Sequence, residues 1–154
     1  ITSMPHELTV FILGMMPIIE SRLAIPFGIG ALGMNPINAF IFAIAGNFIA
    51  VIILLRFLDP VTQLLCKSSF LKKHIDWLFE RTRTKHDKRM SELGHLALLI
   101  FVAIPIPGSG AWAGSLVAYL FDLKKPLATV IITCGLIIAG VIITSTTEGV
   151  ISLF

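Results

Sequence analysis

The chain has 154 residues, of which 56% are hydrophobic and only 14% are charged, and its formal net charge is +3. An average soluble domain carries about 25% charged residues. The composition therefore excludes an ordinary soluble protein and predicts an integral membrane protein. The two cysteines, Cys66 and Cys134, lie far apart, and no spacing of cysteine or histidine predicts a disulfide, a metal site or a bound cofactor.

Four apolar stretches follow one another along the chain. They cover residues 8–33, 36–58, 96–121 and 126–147. The fourth has no charge and the second has none before Arg56. About 20 apolar residues in a helix cross a hydrocarbon core ~30 Å thick. We therefore predict that the second and fourth stretches are transmembrane helices.

Prolines interrupt the other two stretches. Pro17 and Pro26 bracket the interruption in the first, and Pro105 and Pro107 begin the interruption in the third. Proline removes a helical hydrogen bond and clashes with the preceding turn. Each broken stretch should then form two half-helices of about ten residues. Such a stretch crosses the membrane as a discontinuous helix, or it enters and leaves on one side as a re-entrant hairpin.

The distribution of basic residues favours the hairpin. Nine of the 12 lysines and arginines lie between Arg56 and Arg89, and this segment should be cytoplasmic because cytoplasmic loops are enriched in positive charge. A discontinuous crossing would place Lys124 and Lys125 outside. A hairpin places them inside, together with every basic residue except Arg22.

The order of elements is the same in both halves of the chain: a broken stretch, a short link and a full helix. We predict an all-α membrane protein of one domain, residues 1–154, built from two inverted repeats at 8–58 and 94–147. Each repeat is a re-entrant hairpin plus one transmembrane helix, and both termini lie outside. Inverted repeats with broken helices near the midplane are common in secondary transporters.

The linker at 59–93 has a different character. Apolar residues recur at helical spacing with charges between them, namely Phe70, Leu71, Ile75, Leu78 and Phe79. The pattern predicts an amphipathic cytoplasmic helix, which either lies on the membrane surface near anionic headgroups or is solvated and packs on the membrane domain. The basic run at 81–89 favours anionic lipid over nucleic acid, since no folded nucleic-acid-binding domain accompanies it.

Glu20 and Arg22 are the candidate site residues with the clearest signal. Charges at membrane depth cost at least ~2.5–3.5 kcal/mol each on insertion scales and normally mark pathways or relays. A broken, extended segment would point both side chains the same way. Arg22 would then receive an anionic group, with Glu20 as the site of a coupling proton or sodium ion. The alternative is a structural ion pair that closes the break.

The second break adds candidates of another kind. Small residues there allow close approach of a ligand or of the facing break, and the set comprises Pro107, Gly108, Ser109, Gly110 and Trp112. Tight helix packing is the alternative. Asn47, midway along the second stretch, either bonds a neighbouring helix or contributes to the site.

Three segments in order resemble the small multidrug export protein family of prokaryotic membrane proteins. They are PIIESRLAIPFG at 17–28, GN at 46–47 and PIPGSGAWAG at 105–114. The layout is also similar to the DedA and VTT-domain superfamily, which implies two re-entrant hairpins that meet inside the membrane and a link to lipid translocation. In that superfamily the hairpins divide acidic residues and arginines between them, whereas here Glu20 and Arg22 share one hairpin.

The resemblance implies a multi-pass protein of the prokaryotic cytoplasmic membrane. We predict an ion-coupled secondary transporter or lipid translocase, a homodimer, with a midplane site for an amphipathic or anionic substrate such as a drug-like compound or a lipid-linked phosphate. The alternatives are a membrane scaffold that does not transport and, less favoured, an intramembrane enzyme acting on lipid phosphates. The enzyme lacks support because the chain has no nucleophile motif and no metal motif.

Overall fold

The computed structural model describes residues 4–83 and 88–153, apart from the side chains at positions 79, 82, 83 and 88–91. These residues form seven α-helices and no strand, so the all-α prediction is confirmed. In chain order the helices are α1 His6–Met15, α2 Glu20–Gly30, α3 Pro36–Leu65, α4 Ser69–Arg83, α5 Lys88–Ala103, α6 Ala111–Leu120 and α7 Lys125–Ile151.

Two of the helices, α3 and α7, are long and apolar enough to cross a membrane. They have 30 and 27 residues, which correspond to about 45 and 40 Å of helix. The side chain of Asn35 caps α3 by accepting a hydrogen bond from the Ile37 N–H at 2.9 Å. Helix α3 extends past the apolar stretch to Leu65, with Pro60 inside it.

The other two apolar stretches are broken, as predicted. Residues 16–19 separate α1 from α2, and residues 104–110 separate α5 from α6. Helix α2 turns back along α1. The two helices are so close that a Cβ atom on Gly28 would lie only 2.9 Å from Val10 Cγ2. Pro26 does not end the break but lies inside α2, where it leaves the carbonyl of Arg22 without its usual helical donor.

The long helices run antiparallel at the centre of the bundle. Gly140, late in α7, packs on Phe40 and Ile44, early in α3. Lys125, at the start of α7, forms an exposed ion pair with Asp59, late in α3. The start of α7 therefore lies at the end of α3 from which the linker leaves.

Each half has its own buried cluster, and each cluster includes residues of the long helix from the other half. The first cluster is formed mainly by α1, α2 and α3 and includes Ile143 of α7. The second is formed mainly by α5, α6 and α7 and includes Val51 and Leu55 of α3. Glycines allow close packing within the first half, since a Cβ on Gly46 would collide with the carbonyl oxygen of Phe11. The two halves are therefore packed through shared cores.

Helix α4 is the amphipathic helix expected in the linker. Most of its described apolar side chains are exposed, with Phe70 and Trp77 at 72% and 56%, whereas Ile75 is half-buried. The Arg81 guanidinium lies 5.2 Å from the centre of the Trp77 ring. The predicted contribution of Phe79 and most of the basic run at 81–89 fall outside the side chains that the structure describes.

Candidate functional site

The two helix breaks meet at an ion pair supplied by the first half. Arg22 Nη1 lies 2.8 Å from Glu20 Oε2, and the two side chains are only 8% and 3% exposed. The prediction that these residues lie in an extended segment is wrong, because Glu20 is the first residue of α2 and Arg22 belongs to its first turn.

The pair forms within a helix because Glu20 does not have helical backbone geometry. Residues two apart in a regular helix point about 200° away from each other. Glu20 has a φ of 46°, in the left-handed region. This conformation turns its carboxylate toward Arg22. Non-glycine residues in this region cost on the order of 1–3 kcal/mol and cluster at functional sites.

Glu20 also caps a helix of the other half. Its Oε1 accepts a hydrogen bond from the backbone N–H of Trp112 at 3.3 Å. This donor is at the start of α6, whose N-cap residue, Gly110, has no side chain to cap it. An acidic group is favourable there because the N-terminus of a helix carries partial positive charge.

Arg22 binds the opposite end of the second break. Its Nη2 donates to the carbonyl oxygens of Val102 at 3.2 Å and Ile104 at 3.3 Å, and to Ser109 Oγ at 2.9 Å. Val102 and Ile104 lie at the C-terminal end of α5, where a cation is favourable. The Nε atom of Arg22 is buried and has no hydrogen-bond partner among the described residues.

Ser109 and Gly110 fit closely against the ion pair. Ser109 Oγ, besides accepting from Arg22, lies 2.8 Å from the Ile104 carbonyl oxygen and 2.9 Å from that of Ile106. A Cβ on Gly110 would overlap the Glu20 carboxylate and Arg22 Nη1. The ion pair therefore needs a glycine at this position.

The remaining candidates of the second break have different surroundings. Trp112 Nε1 donates to the Met15 carbonyl oxygen at 3.1 Å, so the side chain links α6 to the end of α1. Pro107 and Gly108 are exposed, and Gly108 has a φ of +87° with no atom near its Cβ position. Their role in the structure is to turn the chain, and neither is brought to the ion pair.

Asn47 is fully buried beside the first break. In the amide orientation that satisfies both groups, its nitrogen donates to the Gly14 carbonyl oxygen. Its oxygen then accepts from Ser21 Oγ at 2.7 Å and from the Ser21 N–H at 3.2 Å. Asn47 thus joins α3 to both half-helices of the first break. These are the contacts expected if Asn47 bonds neighbouring helices rather than a ligand.

Sequence reasoning missed several members of this network. Ser21 is buried between the two charged residues, and its position in the ESR triplet was the only available signal. The carbonyl groups of Met15, Val102 and Ile104 gave no signal, because every residue carries a carbonyl. They became acceptors only through the way in which the breaks pack.

Fold and sequence together indicate an α-helical membrane protein with a buried ion pair between two helix breaks. The chain belongs to the small multidrug export family, because the model of the family described as "Putative small multi-drug export protein" matches residues 20–142. The match begins at Glu20 and contains the second break, which confirms the predicted family. Comparisons with curated proteins and with solved structures found no match.

The description of the family suggests export across a membrane. The similarity to the DedA and VTT-domain superfamily stays a prediction.

Proposed function

We propose that this protein is a secondary transporter whose site is the ion pair of Glu20 and Arg22 near the middle of the membrane. The observation that carries the proposal is the burial of one anion and one cation between two helix breaks. Charges at membrane depth normally mark pathways or relays. Broken helices supply backbone groups for substrates and coupling ions in secondary transporters.

Two contacts support the topology of inverted repeats with re-entrant hairpins. The contact of Gly28 with Val10 folds α2 back on α1. The pairing of Lys125 with Asp59 brings the end of the second broken segment back to the linker side of α3. Each segment then enters and leaves on one side, and the antiparallel α3 and α7 give the two repeats opposite orientations.

The substrate is amphipathic or anionic, and its polar group binds Arg22. The unpaired Nε of this side chain leaves one N–H available for an anionic group, and a guanidinium suits phosphate or carboxylate oxygens. A proton or sodium ion on Glu20 would neutralise the carboxylate that holds Arg22. Arg22 would then be free to exchange Glu20 for substrate, which couples the ion to transport. A lipid-linked phosphate and a drug-like anion both fit this chemistry.

A homodimer in the prokaryotic cytoplasmic membrane completes the proposal. The tips of both breaks are exposed in the single chain, and Ile18 and Ile106 are 85% and 57% exposed. Irregular backbone at membrane depth requires cover by protein or a water-filled cavity. A second copy of the chain would supply that cover, with both termini outside and α4 on the cytoplasmic surface.

Flux measurements in proteoliposomes test the proposal. The protein is reconstituted with a fluorescent drug-like anion or a labelled lipid phosphate, with and without a pH or sodium gradient. We expect gradient-dependent flux in the parent and its loss in Glu20→Gln and Arg22→Gln. Glu148→Gln is the matched control, because it makes the same change at an exposed position of α7 and should transport as the parent does.

Circular dichroism and gel filtration establish that each variant is folded before flux is compared. Folded Glu20→Gln and Arg22→Gln proteins that transport at the parent rate would overturn the site. A parent that shows no flux with either substrate class, under either gradient, would overturn transport by this mechanism.

A further inference from the structure

A groove between α3 and α7 lies at the linker end of the bundle, away from the ion pair. It has a volume of about 480 Å³ and is lined by Ile52, Leu55, Arg56, Lys125, Pro126 and Thr129. Binding sites for small ligands have volumes of roughly 300–1,000 Å³, mostly apolar walls and a few polar groups. The volume of the groove falls in this range, half of its lining residues are apolar, and it has two cations on facing helices.

We propose that this groove binds the headgroup of an anionic phospholipid. Arg56 and Lys125 are the groups that contact the phosphate, and Ile52, Leu55 and Pro126 form the apolar wall for the start of an acyl chain. Basic pockets between transmembrane helices on the cytoplasmic side have this chemistry. The inference goes beyond the proposed transport function and uses none of the residues of its site.

The spacing of charges along α3 and α7 supports a position at the membrane interface. Arg56 follows Pro36 by 20 residues without an intervening charge, which is about 30 Å of helix and matches the hydrocarbon thickness. In α7 no charge occurs between Lys125 and Glu148. Since the two helices are antiparallel, both cations reach the same interface, where phospholipid phosphates lie.

The charges of the groove are not neutralised within the protein. Arg56 makes no hydrogen bond or ion pair in the described part of the chain and is exposed. Lys125 pairs with Asp59, but its side chain remains 50% exposed. One carboxylate thus pairs with one of the two cations, and the groove keeps a net positive charge. Leu55 of α3 also lines the groove and is only 4% exposed.

Lipid retention by the intact 154-residue chain tests the proposal. Protein purified in mild detergent is incubated with phosphatidylglycerol or phosphatidylcholine, and bound lipid is counted by native mass spectrometry. We expect the parent to retain phosphatidylglycerol in preference to phosphatidylcholine. Arg56→Gln and Lys125→Gln should each lower the apparent affinity about fivefold, since one basic residue near a membrane surface contributes about 1 kcal/mol.

Three further variants separate the groove from general surface charge. Lys67→Gln removes a charge at the same end of the bundle but outside the groove and should retain phosphatidylglycerol as the parent does. Asp59→Asn removes the carboxylate that competes for Lys125 and should raise retention. Arg56→Lys keeps the charge and should keep most of the binding, which provides a second readout if Arg56→Gln does not fold.

Three outcomes would overturn the proposal. Equal retention of the two lipids would remove the role of charge. An equal loss in Lys67→Gln and Arg56→Gln would show a diffuse surface effect rather than a groove. Displacement of phosphatidylglycerol by millimolar inorganic phosphate would identify a free-anion site, because the apolar wall should make the lipid bind more tightly than phosphate alone.

Discussion

The two helix breaks contribute opposite kinds of chemistry to one cluster. The first supplies both charges, Glu20 and Arg22, on the first turn of α2. The second has no charged side chain and supplies the N-terminus of α6 and the C-terminal carbonyls of α5. Each charge meets the helix end of opposite sign. A buried ion pair can therefore be stabilised by backbone groups of a segment that has no charge itself.

Under the proposed function the two breaks have different roles. The charged break holds the groups that would bind ions and substrate, while the uncharged break fixes their positions. Neither is complete alone, because the charges lie in the first half and most of their other hydrogen-bond partners lie in the second. The variants below test this division, from the largest expected effect to the smallest.

Removal of one charge should have the largest effect. Breaking a buried ion pair leaves an unpaired charge and costs roughly 3–5 kcal/mol, so the single variants Glu20→Gln and Arg22→Gln should lower the unfolding midpoint in detergent most. The double variant Glu20→Gln/Arg22→Gln should be less destabilised than the sum of its two single changes, because no lone charge remains. Thermal unfolding of the four proteins gives the coupling free energy. Additive changes would show that the two charges act independently.

Gly110→Ala should be next, although it changes no charge. The added Cβ would overlap both the Glu20 carboxylate and Arg22 Nη1, and forced overpacking costs about 3 kcal/mol or more when it displaces closely packed groups. Gly30→Ala is the matched control, since no atom lies within 4 Å of its Cβ position. The two unfolding midpoints are compared in the same detergent. Equal stability of both variants would mean that the breaks do not pack as closely as described.

Ser109→Ala should have a moderate effect. It removes the acceptor for Arg22 Nη2 and the hydroxyl that faces two carbonyl groups, and a hydrogen bond to a charged group is worth about 1.5–3 kcal/mol. Ser115→Ala removes a buried hydroxyl that bonds only the Ala111 carbonyl oxygen of its own helix and should change stability less. A reversed order would contradict the role of Ser109.

Trp112→Phe should have the smallest effect. It removes the hydrogen bond from Nε1 to the Met15 carbonyl oxygen, worth about 1 kcal/mol, but leaves the backbone N–H on Glu20. Trp77→Phe on the exposed face of α4 is the control. Hydrogen exchange of the backbone near Met15, measured by mass spectrometry, should rise only in Trp112→Phe. No difference between the variants would show that this bond does not hold the first break.

The elements themselves could be predicted from the sequence. Uninterrupted apolar residues predicted α3 and α7. Prolines at positions 17, 105 and 107 predicted the two breaks. Pro26 was misleading, because a proline inside a membrane helix is tolerated when neighbouring groups pair with the freed backbone. The candidate site was predicted in part. Glu20 and Arg22 were found because charge is rare in such a sequence, and Asn47 was found because it is polar.

The sequence by itself determined that this is an α-helical chain with two broken and two continuous apolar segments, and that one charged pair lies next to a break. Composition and proline positions suffice for this, since burial and helix formation depend on local residue type. Only the tertiary structure decided the partners of the pair. The ends of α5 and α6, and the pairing of Lys125 with Asp59, are set by how distant backbone segments pack. The sequence carries no local signal for such contacts.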